Sequence, residues 1–378
     1  MTYNLIVVGG GVSGVTASIF YKRKNPQAMV LIIESKDELL KKLNATGAGK
    51  GNFTNEYLSS TIYDNSSLAS IILKDNPKNE ILSFFDTLNI KYTSDSEGRY
   101  YPFSYDAKTI SQALITELKK LNIDIILNKK IESIKYDSLF IIDNYKSRNL
   151  LISVGGINYP SLGSDGSLYD TIKTSLGHSF TKLVPSNIYI DVFEKNITKK
   201  LSGRRIISTL NLYNNDELIH TESGEVLFKD DALSGIVSFN ISNYLARLYK
   251  NNIDKNPYIK VDFTNKTNVL DKISSKDDLY GVFSKILVDT LYNENLSLEE
   301  NILAFKGYKF TIKGLSDLYN AQATTGGIKS SQLSDNLESK YISGLYFAGD
   351  ILDISAPSGG YNLSIAYISG KRVGEAIK

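Results

Sequence analysis

"YNLIVVGGGVSGVTASIFYKRK", residues 3–24, decides the architecture. Tyr3–Val8 is a short run of branched and apolar residues, the composition of a strand buried on both faces. Gly9, Gly11 and Gly14 follow at G-x-G-x-x-G spacing, with Val12 and Ser13 inside the motif and a helical pattern directly after it. "AMVLIIE", residues 28–34, reads as a second buried strand that ends on Glu34 and Ser35. Strand, glycine turn, helix and strand together make one βαβ unit. Each motif residue has a physical task. Gly9 permits the tight turn, Gly11 lets backbone approach a pyrophosphate, and Gly14 allows helix and strand to pack closely. The helix start offers unpaired N–H groups and the positive end of its dipole to phosphate. Glu34 is placed to accept hydrogen bonds from adenosine ribose hydroxyls, which favours FAD or NAD over a 2′-phosphorylated nucleotide.

Composition narrows the function classes. The chain has 378 residues, 42% hydrophobic and 22% charged, long enough for two or three domains. Its 43 basic residues nearly balance 41 acidic ones, so no strong field is expected to attract nucleic acid or an anionic membrane. No run of 18 apolar residues and no basic-then-apolar leader stands out, and a cytoplasmic protein is expected. Cysteine is absent, which removes thiol nucleophiles, thiolate metal sites and redox-active cysteine pairs. Any redox chemistry must then be carried by a cofactor. With only His178 and His220 present, no metal site is expected, and both histidines read as structural or surface residues.

Three further segments separate FAD from NAD. "NATGAGKGNFTN", residues 44–55, is a glycine loop suited to lie against a flat ring or a pyrophosphate. "LLISVGGINYPSLGSDGSLYD", beginning at Leu150, brings an apolar strand to Gly155 and Gly156. "GLYFAGDILDISAPSGGYNLSIAYISGKRVGEAI", near the C-terminus, delivers Gly349 and Asp350 at a strand end, then Gly359 and Gly360 before a helix that starts near Tyr361 and Asn362. The Asp350 carboxylate suits a ribityl hydroxyl. The helix start suits the pyrimidine edge of a flavin, where negative charge collects on reduction. Nicotinamide has neither feature, so FAD is the expected cofactor.

The fold expected is α/β: a Rossmann-like FAD-binding domain assembled from both chain ends, residues 1–186 and 323–378. Into it are inserted a β-rich, barrel-like domain, 187–234 and 301–322, and a small helical subdomain, 235–300. The β-rich reading rests on "NIYIDVF", "RRIISTLNLYNNDELIHTESGEVLFK", "YIKVDF" and "YKFTIKG"; the helical one rests on "GIVSFNISNYLARLYK" and "KDDLYGVFSKILVDTLYNE", which lie between them.

At these residues the chain resembles a family of bacterial flavoproteins that includes aminoacetone-oxidase-like and bile-acid-reductase-like enzymes. "VVGGGVSG" resembles the family's first glycine turn, and "KKLNATGAGKGNFTN" its flavin loop, usually K-K-L-x-x-S-G-G-G-R-C-N-x-T-N. "GGINYPSLGSDGSLYDTIKTSLGH", "GEVLFKDDALSGIVSFNIS", "ATTGGI" and the C-terminal block carry the likeness along the chain. The resemblance implies cofactor contacts from Lys42, Thr46, Gly47, Gly49, Lys50, Asn52 and Thr54. Lys50-Gly51 replaces the usual Arg-Cys pair, so a role needing a guanidinium fork or a thiol is lost.

The expected function is an FAD-dependent oxidoreductase acting on a small or mid-sized organic molecule. No second G-x-G-x-x-G is present, so NADH or NADPH would visit the ring transiently. The alternatives are an oxygen-using amine oxidase and, from another class, a non-catalytic or RNA-associated flavin module. No nucleic-acid or membrane partner is expected, and no catalytic residue can be named from the sequence.

Overall fold

The computed structural model describes the backbone of residues 1–378 and every side chain except that of Leu318. The chain forms two compact units, Met1–Leu183 with Ala323–Lys378, and Val184–Gln322.

The first unit is built on the expected parallel sheet. Thr2–Val8 lies at its centre, paired in parallel with Val30–Ile33 on one side and Tyr145–Ile152 on the other. Asp124–Ile126 extends one edge, and Leu345–Phe347, from the far end of the chain, joins Tyr145–Ile152 in parallel. Leu5, Ile6 and Val7 are fully buried. The unbroken apolar run is what a strand with both faces covered requires.

Helix Val12–Lys24 packs against the last helix, Tyr361–Ala376. Close approach is possible because the last helix carries glycines four residues apart. A Cβ on Gly370 would stand 2.4 Å from the Ser13 carbonyl oxygen, and one on Gly374 2.5 Å from that of Ala17. Below this contact an aromatic stack runs from Phe53 to Phe85, with ring centroids 4.3 Å apart, and from Phe85 edge-on to Tyr367 at 5.3 Å. The Tyr367 hydroxyl is buried with no partner among the described residues, and burial pushes its phenol far above the ordinary tyrosine range. A buried, unpaired polar group costs about 1–3 kcal/mol. Tyr367→Phe is therefore expected to raise the stability of the apoprotein by about 1 kcal/mol, read as a higher urea midpoint at unchanged slope.

His178 is structural, as expected. It is buried, its Nδ1 lies 2.7 Å from the Leu176 carbonyl and its Nε2 2.9 Å from Ser339 Oγ, and burial lowers its pKa below 6.5. Below pH 6.5 the unfolded chain binds a proton at this ring that the folded chain resists. Stability should fall as pH drops through this window, and His178→Gln should flatten that part of a stability-versus-pH curve.

The second unit is a closed antiparallel barrel. Its strands run in the order Ile190–Val192, Ala232–Ser234, Glu217–Phe228, Arg205–Asn214, Tyr258–Asp262 and Tyr308–Leu315, and the last pairs back with the first. The long hairpin turns at Asn215 and Asp216, both at positive φ, as a two-residue turn of this hand requires. Two expectations are corrected here. Residues 235–300 do not form a separate helical subdomain, because Tyr258–Asp262 within them is a barrel strand. Val237, Ile241 and Leu245 of helix Ile236–Asn251, with Leu287 and Val288 of a later helix, share one core with barrel residues Leu210, Val226 and Phe310. The stretch from Lys276 to Leu291 is also two short helices, Lys276–Leu279 and Lys285–Leu291, rather than one.

Candidate cofactor site

The three glycines of the turn stand in different surroundings. Gly9 sits at φ +107°, and a Cβ there would lie 2.5 Å from the Ser153 carbonyl oxygen. A Cβ on Gly14 would lie 2.2 Å from the Gly9 carbonyl oxygen. Both are demanded by the chain's own packing. Gly11 differs, since a Cβ there would meet no protein atom within 4 Å and its backbone is ordinary extended chain, φ −75°. Gly11 caps helix Val12–Lys24 without a side-chain hydrogen bond, which leaves the first N–H groups of that helix for an anion.

Glu34 is buried at the end of the second strand. Its Oε2 accepts from Gly10 N at 2.7 Å, and its Oε1 from Lys36 N at 2.8 Å and Ser35 Oγ at 3.1 Å. These bonds fix the carboxylate beside the turn. Gly163 and Lys36, which sequence reasoning passed over, line the same place: a Cβ on Gly163 would lie 3.7 Å from Glu34 Oε1, and Lys36 Nζ donates to the Pro160 carbonyl at 3.0 Å.

The two chain ends also meet around the glycine loops. Gly349, at φ +78°, lies where a Cβ would be 2.3 Å from Ser13 Oγ. Lys42 Nζ and Asp350 Oδ2 form an ion pair at 2.6 Å. A Cβ on Gly360, at φ +90°, would lie 2.6 Å from the Thr54 carbonyl oxygen, and Ser364 Oγ is 2.9 Å from Thr54 Oγ1. The loop after helix Lys41–Ala45 turns through positive φ at Gly47, Gly49 and Gly51, with Thr46 Oγ1 bonded to the Lys42 carbonyl and Lys50 exposed. Asn44 Oδ1, in that short helix, is buried with no partner among the described residues, an acceptor that sequence reasoning did not single out.

Four expected contacts have a different immediate role. Asn52 donates its amide to the carbonyls of Thr54 and Tyr100, and Asn362 uses both halves of its amide on Ala356, at 3.0 and 2.8 Å. Each holds a glycine loop in shape. Gly155 and Gly156 are required by close packing on Ser164 and Thr324, where a Cβ would come within 2.2 and 2.3 Å. Helix Tyr361–Ala376 begins directly after Gly359 and Gly360 with no side-chain cap. An uncapped helix start behind two left-handed glycines, in the same unit as a fixed carboxylate and the open position at Gly11, fits a dinucleotide with a flat ring at its far end.

The family described as HI0933-like protein Rossmann domain matches residues 3–376. The chain belongs to this family. Like other members it is an FAD-dependent oxidoreductase. A protein of Clostridium scindens named 3-dehydro-bile acid delta(4,6)-reductase is 30% identical, over 98% of each chain. A ribosomal RNA dihydrouridine synthase of Escherichia coli is 23% identical, over 97% of this chain and 96% of its own. The crystal structure of a 3-ketosteroid delta1-dehydrogenase from Sterolibacterium denitrificans, in complex with 1,4-androstadiene-3,17-dione, superposes with a TM-score of 0.52 at 11% identity, over 100% of this chain and 99% of that one; it shows the shared fold. Among the described residues no helix is long and apolar enough to cross a membrane, and no three or more His, Asp or Glu side chains are gathered to hold a metal ion.

Proposed function

We propose that the protein reduces a carbon–carbon double bond conjugated to a carbonyl group, with NADH or NADPH as the transient electron donor. The observation that carries this reading is the 30% identity, across 98% of both chains, to a reductase named for a 3-oxo bile acid unsaturated at positions 4 and 6. The dihydrouridine synthases at 23% identity favour a second substrate of the same bond type, since the pyrimidine double bond of uridine is also conjugated to a carbonyl. The near balance of 43 basic and 41 acidic residues speaks for the small molecule, because RNA binding draws on a concentrated basic surface.

FAD, when bound, supplies the hydride chemistry, taking two electrons from the nicotinamide and passing them on. The chain's own part is position and electrostatics. Gly11 and the helix start behind it receive the pyrophosphate, Glu34 the ribose, and Asp350 a ribityl hydroxyl. The start of Tyr361–Ala376 stabilises negative charge on the ring. A reductase must also protonate the carbon next to the carbonyl. With no cysteine in the chain, that proton comes from a hydroxyl, an ammonium, an imidazolium, a carboxylic acid or water.

The test is anaerobic addition of NADH and NADPH to the FAD-loaded protein, followed at the flavin band near about 450 nm. Rapid bleaching, with colour returning on addition of a 3-oxo-4-ene steroid, is the expected result. Reoxidation by unmodified ribosomal RNA in place of the steroid would shift the substrate to uridine. Bleaching by a primary amine and not by either nicotinamide would overturn the reductase reading in favour of an oxidase.

A further inference from the structure

The dipeptide Tyr63-Asp64 lies outside every motif that pointed to the cofactor, yet its hydrogen bonds converge on the loop that carries Gly359 and Gly360. Tyr63 is buried, and its hydroxyl donates at 2.7 Å to the carbonyl of Tyr361, the first residue of the last helix. Asp64 N donates to the Ser355 carbonyl at 3.0 Å, and Asp64 Oδ1 accepts from Ser355 N at 2.7 Å. Ser355, itself buried, lies 2.9 Å through its hydroxyl from Thr325 Oγ1. The loop is therefore gripped at both ends, at Ser355 by Asp64 and at Tyr361 by Tyr63.

The grip is anchored locally. A 3-10 turn over Ser60–Ile62, capped by Ser59, precedes the dipeptide, and helix Ser66–Ile72, capped by Asn65 Oδ1 on Leu68 N at 3.1 Å, follows it. Two capped elements either side leave the dipeptide little freedom. Its buried hydroxyl and its backbone must also find partners inside the protein.

We propose that Tyr63-Asp64 is a clamp that aims the start of the last helix at the flavin and thereby sets the reduction potential of the bound cofactor. The proposal rests on the reading that this helix start faces the pyrimidine edge. A helix terminus acts on charge only within about one turn. Its effect on the reduced, negatively charged flavin therefore depends on where the first turn is held, whereas oxidised flavin carries no such charge. Loosening the clamp should weaken binding of reduced FAD more than of oxidised FAD, which lowers the potential. Tyr63 and Asp64 are positioning residues in this account.

Three variants of the full-length, FAD-loaded protein test it by dye-equilibration potentiometry. Tyr63→Phe removes one donor and no charge. Asp64→Ala and Asp64→Asn both remove the carboxylate charge, but the amide of Asn keeps an acceptor for Ser355 N. The expected result is a potential for Asp64→Ala about 30 mV below that of Asp64→Asn, a tenfold change in the discrimination between reduced and oxidised flavin. Tyr63→Phe should fall below wild type by a similar amount. Variants that bind FAD with equal potentials, differing only in melting temperature, would overturn the clamp. If Asp64→Ala fails to fold, Tyr63→Phe alone decides by the same measurement. Wild-type protein that takes up no FAD would instead overturn the flavin reading beneath it.

Discussion

Gly11→Val is expected to abolish FAD binding while costing the apoprotein no more than about 1 kcal/mol, the loss of a favourable helix N-cap residue. The two halves of that result have separate causes. The backbone of Gly11, at φ −75°, is open to any residue, and a Cβ there would meet no protein atom within 4 Å, so a side chain can start there without moving backbone. On the proposed reading the same open position receives the pyrophosphate, and the two methyl groups of valine would occupy it. We expect affinity to fall by at least about 100-fold, some 2.7 kcal/mol, with Gly11→Ala between valine and wild type. Gly14→Ala is the contrasting variant. Its Cβ would sit 2.2 Å from the Gly9 carbonyl oxygen, so backbone must move, at a cost of about 1–3 kcal/mol to the fold itself. Urea unfolding of the three apoproteins, with FAD titration of each, distinguishes the classes. A Gly11→Val protein that turns yellow with wild-type affinity would show that the pyrophosphate lies elsewhere.

That contrast also marks what the sequence could reveal. The strand, turn, helix and acid of residues 3–34 were legible because each is a local pattern: an unbroken apolar run, glycines at fixed offsets, and a carboxylate at a strand end. The motif's spacing implied separate tasks for its glycines, and the surroundings of Gly9, Gly11 and Gly14 show which of them the fold's own packing requires. The expectation failed where pairing is non-local. Tyr258–Asp262 reads as a strand of the β-rich module, yet the expected bounds leave it among helices, since nothing nearby in sequence says that its neighbours are Arg205–Asn214 and Tyr308–Leu315. Closure of the barrel, a property of six strands together, draws it out of the supposed helical subdomain. Asn52, read as part of the glycine loop, and Asn362, read at the start of the last helix, were expected to meet the cofactor, and their amides bond the backbone of Thr54, Tyr100 and Ala356. An amide's partner is a matter of geometry, not of residue type. Tyr63 and Asp64 were invisible for the same reason, since Ser355 lies 291 residues beyond Asp64.

The ion pair between Lys42 and Asp350 sets the second large effect. Lys42 stands in the short helix Lys41–Ala45, whose preceding residue Leu40 donates its N–H to the Gly10 carbonyl at 2.9 Å, so its position follows that of the glycine turn. Asp350 stands just past the strand Leu345–Phe347. An ion pair of 2.6 Å thus ties the segment after the glycine turn to the segment after the strand Leu345–Phe347. A hydrogen bond to a charged group contributes about 1.5–3 kcal/mol, so Asp350→Ala should cost about 10- to 150-fold in FAD affinity. Lys42→Met should cost less, because the carboxylate survives and loses only the partner that orients it. The informative variant is the double one. If Lys42 acts through Asp350, adding Lys42→Met to Asp350→Ala should cost no further affinity, and the coupling should exceed about 0.5 kcal/mol. Were the two losses simply to add, each side chain would be meeting the cofactor on its own account, with the lysine on the pyrophosphate as a point charge and the carboxylate on the ribityl chain. Raising ionic strength separates these cases a second way. A lysine acting on the doubly charged pyrophosphate would make FAD affinity fall with salt in wild type and not in Lys42→Met, whereas a lysine that only orients Asp350 at 2.6 Å is screened far less.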